Sequence, residues 1–399
     1  MSTRRRPAAT PARPRVAVVG ANFAGLRVAQ SLDDGFEVTV FDPAPWFEWL
    51  PNIHELVSGT RRPADLRLSR RRLIERAGHA FVQEEVTRIE PGRRRLTTAS
   101  GAHHAYDYCV VAVGGRNETY GVPGVDRHAR PFRSVADGEA IRRRLAALAR
   151  RKGPQSVVVV GGGFTGVEAL GEILRRYRKR RGLSLHLVEA APTLMPGVAP
   201  RIDALVRGHC AAFDVQLHTG SPVAAVTASG VRLRSGRWIK SGLTLWTGGV
   251  SAPPLLHRSG LAPRPGQWAP VDGSLRSRRS RRVFVIGDAA ALPRPVRKQA
   301  FHALEMAECA ADNLRRAVAG RPLRAFRPSR TPLLVAFGDL DTFLVAGRSV
   351  LASPALAAGK EAVYQVTMAQ IDPPLDGPAL GQLASRVGGA ALRLAPRWR

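Results

Sequence analysis

Gly161, Gly163 and Gly166 stand at G-x-G-x-x-G spacing directly after the four valines Val157–Val160. A second apolar run, Leu183–Val188, ends on Glu189. Glycines in this pattern permit a tight turn, let backbone approach a pyrophosphate, and let a helix pack closely on a strand. The pyrophosphate then rests on the N–H groups at the helix start, where Phe164 and Thr165 follow the turn. A carboxylate at Glu189 accepts hydrogen bonds from an adenosine ribose. The elements that must position these groups are legible around them. The valines read as a strand buried on both faces, and Val167, Leu170, Leu174 and Tyr177 fall on one helical face. Glycine spacing alone is weak evidence; set in a strand, turn, helix, strand and acid it is strong.

The chain opens with a second copy. Val16–Val19 leads into Gly20-Ala21-Asn22-Phe23-Ala24-Gly25, then Val28, Ala29 and Leu32 mark a helix, and Glu37–Phe41 ends at Asp42. Asn22 replaces the middle glycine, and Asn tolerates unusual backbone angles better than most residues. Further apolar strands end on small or acidic residues. Tyr106–Val113 runs into Gly114-Gly115, Leu243–Trp246 into Thr247-Gly248-Gly249, and Val283–Ile286 into Gly287-Asp288.

The length of 399 residues accommodates two or three domains with sizeable cores. The net charge of +30 admits two readings: a surface for nucleic acid or anionic lipid, or a compositional excess. Lysine occurs only at 152, 179, 240, 298 and 360, so the charge is almost all arginine. This favours the compositional reading, and no dedicated nucleic-acid site is expected. The three cysteines, at 109, 210 and 309, form no C-x-x-C or C-x₄-C pair, which argues for buried free thiols and against a redox dithiol or a metal site. No apolar run reaches 18 residues, so no spanning helix is expected.

Between these landmarks, Pro45–Gly59 is unusually aromatic, and residues 61–76, with seven arginines, read as a solvated helix face. Strands are expected over Ala80–Glu90 and Arg94–Thr98. Helices are expected over 135–152, over Ile202–Ala212 and over Gln299–Ala319, the last with an alanine-lined face. Leu333–Phe337 and Phe343–Ala346 read as a hairpin, while residues 350–399 give no clear pattern.

The pieces VAVVGANFAG…VTVFDPA, YDYCVVAVGG, VVVVGGGFTGVEALGEI…LHLVEAAP, LTLWTGGV and VFVIGDAA together resemble the two-dinucleotide-binding-domain flavoproteins of the pyridine-nucleotide oxidoreductase family. The resemblance runs from residue 15 to about 320. It implies an α/β chain of two Rossmann-like three-layer domains, the NAD domain inserted in the FAD domain, plus a small C-terminal region. The implied divisions are a disordered basic tail over 1–14, an FAD-binding domain over 15–118 and 248–325, an NAD(H)-binding domain over 119–247, and the remainder from 326. It implies FAD on Gly20, Asn22, Phe23, Ala24, Gly25, Asp42, Gly114, Gly115, Gly287, Asp288 and Ala300. NADH is implied on Gly161, Gly163, Phe164, Thr165, Gly166, Glu189 and Gly248. Asp288 takes the flavin's ribityl chain.

Disulfide reductases of the family carry a C-x₄-C after the first acid, and Trp46–Leu56 holds no cysteine. TGVEALGEI resembles the TGVE-x-x-GE signature of type II NADH dehydrogenases, which pass electrons from NADH through FAD to a quinone. This resemblance implies Glu168 and Glu172 beside the reacting rings; the competing reading pairs Glu172 with Arg176 at i, i+4. The family's quinone-site helix reads A-Q-x-A-x-Q. Here Ala300-Phe301-His302-Ala303-Leu304-Glu305 replaces both glutamines, and His302 reads as a helix-surface histidine. Glu189, with no arginine in the next five residues, favours NADH over NADPH. The tail 376–399 carries leucines and arginines suited to an anionic bilayer, as the family's membrane attachment implies, or to a disordered end. The expected setting is cytoplasmic, with a peripheral membrane contact and a homodimer left open. An apoptosis-inducing-factor-like or ferredoxin-reductase-like flavoprotein, with a different acceptor or a regulatory or binding role, stands as the alternative.

Overall fold

The computed structural model describes residues 13–373. Its chain forms two compact units, each assembled from three segments. The first takes residues up to Phe47, Ser69–Gly115 and Ser251–Pro328; the second takes Glu48–Leu68, Arg116–Val250 and the residues from Ser329 on. This partition departs from the expected one: residues 48–68, Gly248 and the segment after 328 all group with the second unit. Of the expected tail over 1–14, residues 1–12 lie outside the described residues, as does the expected tail over 376–399.

In the first unit a five-stranded parallel sheet runs in the order Val283–Val285, Tyr108–Val111, Arg15–Val19, Glu37–Phe41, Ala80–Val82. Val16 pairs with Val38 on one side and Tyr108 on the other. The central strand is apolar from Val16 on because both faces are covered there. One face, carrying Ala17, Val19, Cys109 and Val111, shares a core with Val86, Ile89 and Leu96 of an antiparallel sheet built from Val86–Glu90, Arg95–Thr98 and His103–Ala105. Helix Phe23–Ser31 packs along helix Ala300–Val318, whose Ala303, Ala307, Ala310 and Ala311 are buried. The expected single strand over 80–90 is two strands in different sheets, parted by the polar Gln83-Glu84-Glu85.

The second unit repeats the plan. Its parallel sheet runs Ala129–Pro131, Leu243–Trp246, Gln155–Val160, Leu183–Val188, Gln216–His218. An antiparallel sheet of Val223–Thr227, Gly230–Leu233 and Trp238–Lys240 covers one face through Val158, Val160, Val231 and Ile239. Helix Phe164–Tyr177 buries Val167, Leu170 and Leu174, as its periodicity requires. The expected hairpin forms between Leu333–Phe337 and Asp341–Ala346 and gains a third strand, Ser349–Ala352. Beyond it, helix Ala357–Ile371 occupies the stretch that the sequence left unplaced.

Two mid-helix glycines dock these additions. A Cβ at Gly171 would lie 2.4 Å from the Gly338 nitrogen, so the hairpin turn sits directly on helix Phe164–Tyr177. A Cβ at Gly138 would lie 2.8 Å from Leu56, which seats helix Glu55–Ser58 on helix Val135–Arg150.

Candidate functional site

Each parallel sheet carries its glycine turn at the carboxyl edge, and the two turns share their backbone logic. Gly20 has φ +94°, and a Cβ there would stand 2.5 Å from the Ala112 oxygen; Gly161 has φ +106°, and a Cβ would stand 2.6 Å from the Thr247 oxygen. The last glycines, Gly25 and Gly166, approach the carbonyls of Gly20 and Gly161 so closely that a Cβ would fall 1.7 and 1.8 Å from them. Only glycine fits either pair. The middle positions are different. Asn22 caps its helix in ordinary extended geometry, with φ −93°, and Gly163 at φ −78° would place a Cβ against nothing. Glycine at 163 is therefore not required by the protein's own packing, and the open side it leaves is what an approaching pyrophosphate needs.

The strand-end acids repeat the same pattern. Asp42 accepts the N–H of Ala21 at 2.8 Å and of Ala44 at 2.9 Å. Glu189 accepts Gly162 N–H at 2.6 Å and Ala191 N–H at 2.7 Å. Both carboxylates thereby hold the turn that precedes them. Asp42 additionally meets Arg70, a buried guanidinium that also donates to the carbonyls of Ala21 at 3.0 Å and Ala44 at 2.8 Å. Arg70 corrects the reading of residues 61–76 as one solvated helix face. The segment is a 3₁₀ turn, a short strand and helix Arg70–Arg76, and both Arg61 and Arg70 are drawn inward by carboxylates.

In the first unit the remaining expected positions gather at the same sheet edge. Gly287, at φ +63°, lies against Ala24 and Ala303, and its N–H donates to the Met306 sulfur at 3.2 Å. Asp288 follows in a 3₁₀ turn at the end of strand Val283–Val285. Gly114 has φ +62° and Gly115 packs on Trp268. Ala300 opens the long helix behind Gln299. Phe23 turns its ring into the core, edge-on to Phe47 at 5.1 Å, leaving backbone as its contribution at the helix start. A cavity of about 290 Å³ lies here, lined by Trp268, Asp288, Lys298, His302 and Met306. Lys298 stands 3.6 Å over the Trp268 ring and donates to the Asp288 carbonyl. His302 is not a surface histidine: it is largely buried and its Nδ1 lies 3.0 Å from Glu305.

The second unit brings Gly161, Gly163, Phe164, Thr165, Gly166, Glu189 and Gly248 to one edge. Thr247 links the two strands by donating to the carbonyls of Val160 and Gly161. Helix Phe164–Tyr177 then carries the two expected acids into a buried polar cluster. The Glu168 carboxylate accepts from Lys360 at 2.5 Å and from the Ala336 N–H at 3.2 Å, and stands 3.6 Å from His54 Nδ1. Lys360 also lies 3.2 Å from His54 Nε2. An ammonium only donates, so Nε2 must present its lone pair and the ring proton sits on Nδ1, facing Glu168. Complete burial, reinforced by Lys360, lowers the His54 pKa far below its usual value and keeps the ring neutral. Around this core, Glu55 binds Arg61 at 2.8 Å, Arg61 also pairs with Glu361, and its guanidinium lies 3.9 Å over Tyr364. Tyr364 donates to the Asp65 carbonyl at 2.5 Å and meets Trp49 edge-on.

Glu172 lies one turn further along, 1% exposed. Its nearest cation is Arg175 at 3.6 Å, at i+3, so the expected pairing with Arg176 does not form. Its Oε2 is buried without a hydrogen-bond partner. Burial raises its pKa to about 7, with Ser58 and Arg175 pulling the other way.

His54, Arg61, Lys360 and Tyr364 escaped the sequence reading. Lys360, one of five lysines in an arginine-rich chain, and the aromatic crowding of 45–59 were the available signals. Burial pushes the thiols of Cys210 and Cys309 up to about 12 and about 11, and Cys109 higher still, although Cys309 is only half-buried.

Two Rossmann-like units, each with a glycine turn answered by a strand-end carboxylate, define a dinucleotide-linked oxidoreductase. The chain belongs to the pyridine nucleotide-disulphide oxidoreductase family, whose model matches residues 14–310. It is 26% identical over 382 residues to the type II NADH:quinone oxidoreductase of Staphylococcus epidermidis, covering 88% of this chain and 93% of that one. Its fold is similar to that of NDH2 from Plasmodium falciparum in complex with NADH, with a TM-score of 0.81, 16% identity, and 90% and 95% of the two chains covered. The sulfide:quinone oxidoreductase of Aquifex aeolicus matches with a TM-score of 0.81 at 18% identity, over 94% and 95% of the chains. Among the described residues no helix is long and apolar enough to cross a membrane.

Proposed function

We propose that the chain is an FAD-dependent NADH dehydrogenase of the type II NADH:quinone class. The observation that carries this reading is the pair of equivalent glycine turns, each answered by its own acid, one locked by Arg70 and the other open. The first holds FAD: Gly20–Gly25 seats the pyrophosphate, Asp42 the ribose, and Asp288 the ribityl chain. The second holds NADH on Gly161–Gly166 and Glu189. Bound FAD supplies the redox chemistry, taking a hydride and releasing two electrons. The chain binds, orients and excludes water. The quinone acceptor is supported by the relatives' activity over nearly the whole chain. Reducing a quinone with a hydride's two electrons takes up one proton beyond the one the hydride carries, and Glu172, poised near neutrality, with Glu168 held between Lys360 and His54, is suited to bring it. Phe301 and Glu305 make the acceptor's surroundings differ from the family's glutamine pair. The setting proposed is cytoplasmic and peripheral to the membrane.

The test is colour. The purified protein is yellow, NADH bleaches it anaerobically, and a soluble quinone analogue restores the colour. Reoxidation by ferredoxin alone would instead select a reductase of that kind. Glu189 repels a 2′-phosphate, so NADH outperforms NADPH, and Glu189→Gln narrows the preference about tenfold. Equal turnover of both cofactors by the unmutated protein rejects that role for Glu189.

A further inference from the structure

Tyr120 sits where two physical preferences are violated at once. Its backbone is left-handed, with φ +51°, a region that suits Gly or Asn and is rare for a bulky side chain. The residue is 67% exposed, in a chain with few aromatic residues. Neither feature helps the second unit to fold.

The loop that carries it is nonetheless held in place. Tyr120 N–H donates to the Glu118 carboxylate at 2.7 Å, Glu118 N–H donates to the Gly249 carbonyl at 3.0 Å, and Trp246 Nε1 donates to the Glu118 carbonyl at 2.7 Å. The phenol oxygen rests over Gly249, where a Cβ would stand 2.6 Å from it; Gly249 has φ +139°. Trp246–Gly249 is the carboxyl end of the strand beside the Gly161 turn, joined to it by Thr247. Partial burial, then Glu118 and, across that turn, Glu189 raise the phenol's pKa, which puts Glu189 within electrostatic reach of the hydroxyl. An exposed tyrosine on a held, left-handed backbone thus stands at the edge of the dinucleotide turn.

We propose that Tyr120 is a binding residue for the nicotinamide dinucleotide, its ring covering the ligand seated on Gly161–Gly166 and its hydroxyl donating to it. This rests on the assignment of NADH to the second turn. A rigid aromatic face gains contact area at little entropic cost. Because it touches the ligand equally before and during hydride transfer, it lowers KM and leaves the limiting rate alone.

The experiment uses the FAD-loaded enzyme and two readouts: NAD⁺ affinity by calorimetry, and anaerobic bleaching by rapid mixing against NADH concentration. Tyr120→Ala should weaken NAD⁺ binding and raise the half-saturating NADH concentration about tenfold, with the limiting bleaching rate within about twofold. Tyr120→Phe should recover most of the affinity. Tyr120→Gly, which relieves the left-handed strain and so protects folding, should bind as weakly as Tyr120→Ala. Wild-type affinity in both Ala and Gly variants overturns the proposal, as does a loss confined to the limiting rate. A wild type that bleaches normally while its affinity is blind to Tyr120 rejects this inference alone. Tyr120-dependent NAD⁺ binding without bleaching keeps it and rejects the proposed reaction. Absence of any NAD⁺ binding rejects both.

Discussion

The two glycine turns share a backbone and differ in how their acids are held. Asp42 and Glu189 each accept one N–H from the glycine turn and one from two residues further on, but only Asp42 also grips a buried arginine, which ties the first two segments of the first unit together. A turn fastened in this way suits a resident cofactor that never leaves. A turn whose acid meets backbone alone, beside an exposed tyrosine, suits a ligand that must exchange at every turnover. The helices that follow extend the contrast. Phe23–Ser31 carries no acid, whereas Phe164–Tyr177 carries Glu168 and Glu172 into the interior.

The largest break in this comparison should come from Arg70→Ala. Removing one partner of a buried ion pair leaves the other charge uncompensated and costs about 3–5 kcal/mol. Denaturant unfolding should show the loss, and purified protein should carry less flavin. An Arg70→Ala protein with unchanged stability and full colour would mean that Asp42 is held by its N–H donors alone, and that the two turns are equally fastened.

Glu172 gives the next effect, through pH. Its folded pKa, about 7, lies above the ordinary 4.5, so the folded state binds the proton more tightly than the unfolded chain does. The stability that Glu172 contributes is therefore full below about pH 4.5 and declines as pH rises to about 7, by roughly 3 kcal/mol. Glu172→Gln should flatten unfolding free energy over that window. If the slope survives the substitution, another group owns it.

Substituting the closing glycines sharpens the comparison more gently. A Cβ at Gly25 or Gly166 drives into a backbone carbonyl, and overpacking of this kind costs about 1–3 kcal/mol. The two losses should be similar in stability yet separate in function. Gly25→Ala should shed flavin; Gly166→Ala should keep its colour and bleach only at high NADH. Matching losses of colour in both variants would remove the assignment of one cofactor to each turn.

What the sequence could and could not show follows from range. Both glycine turns, both acids and the apolar strands are local patterns, and Gly20, Gly25, Gly161 and Gly166 sit where their spacing requires. The hairpin after Leu333 was legible for the same reason. The Glu168 cluster was not. His54 and Lys360 are 306 positions apart and meet only after residues 48–68 and the C-terminal helix join the second unit. No periodicity announces such a meeting. Arg70 was misread because a run of arginines looks solvated until a distant carboxylate claims one of them. Gly171 and Gly138 did leave a trace, since glycine inside a helix is disfavoured unless something packs against it.

Asn22 supplies the smallest test and bears on the one place where the first turn departs from the G-x-G-x-x-G spacing. The middle glycine of the motif is often credited with a backbone angle, yet Asn22 and Gly163 both adopt negative φ. The side chain of Asn22 makes no capping hydrogen bond to its helix, so replacing it removes no cap. Asn22→Gly should change stability by only a few tenths of a kcal/mol. If the position matters through the space that glycine leaves for a phosphate, the variant should bind FAD as tightly as the wild type or more so, seen as retained colour after dialysis. The converse substitution is the sharper half. Gly163→Asn places its side chain where packing imposes no obstacle, so the second unit should stay as stable as before. A raised KM for NADH in that stable protein would show that the motif's central glycine answers to the ligand. An unchanged KM would show that an asparagine is as good there as it is at position 22.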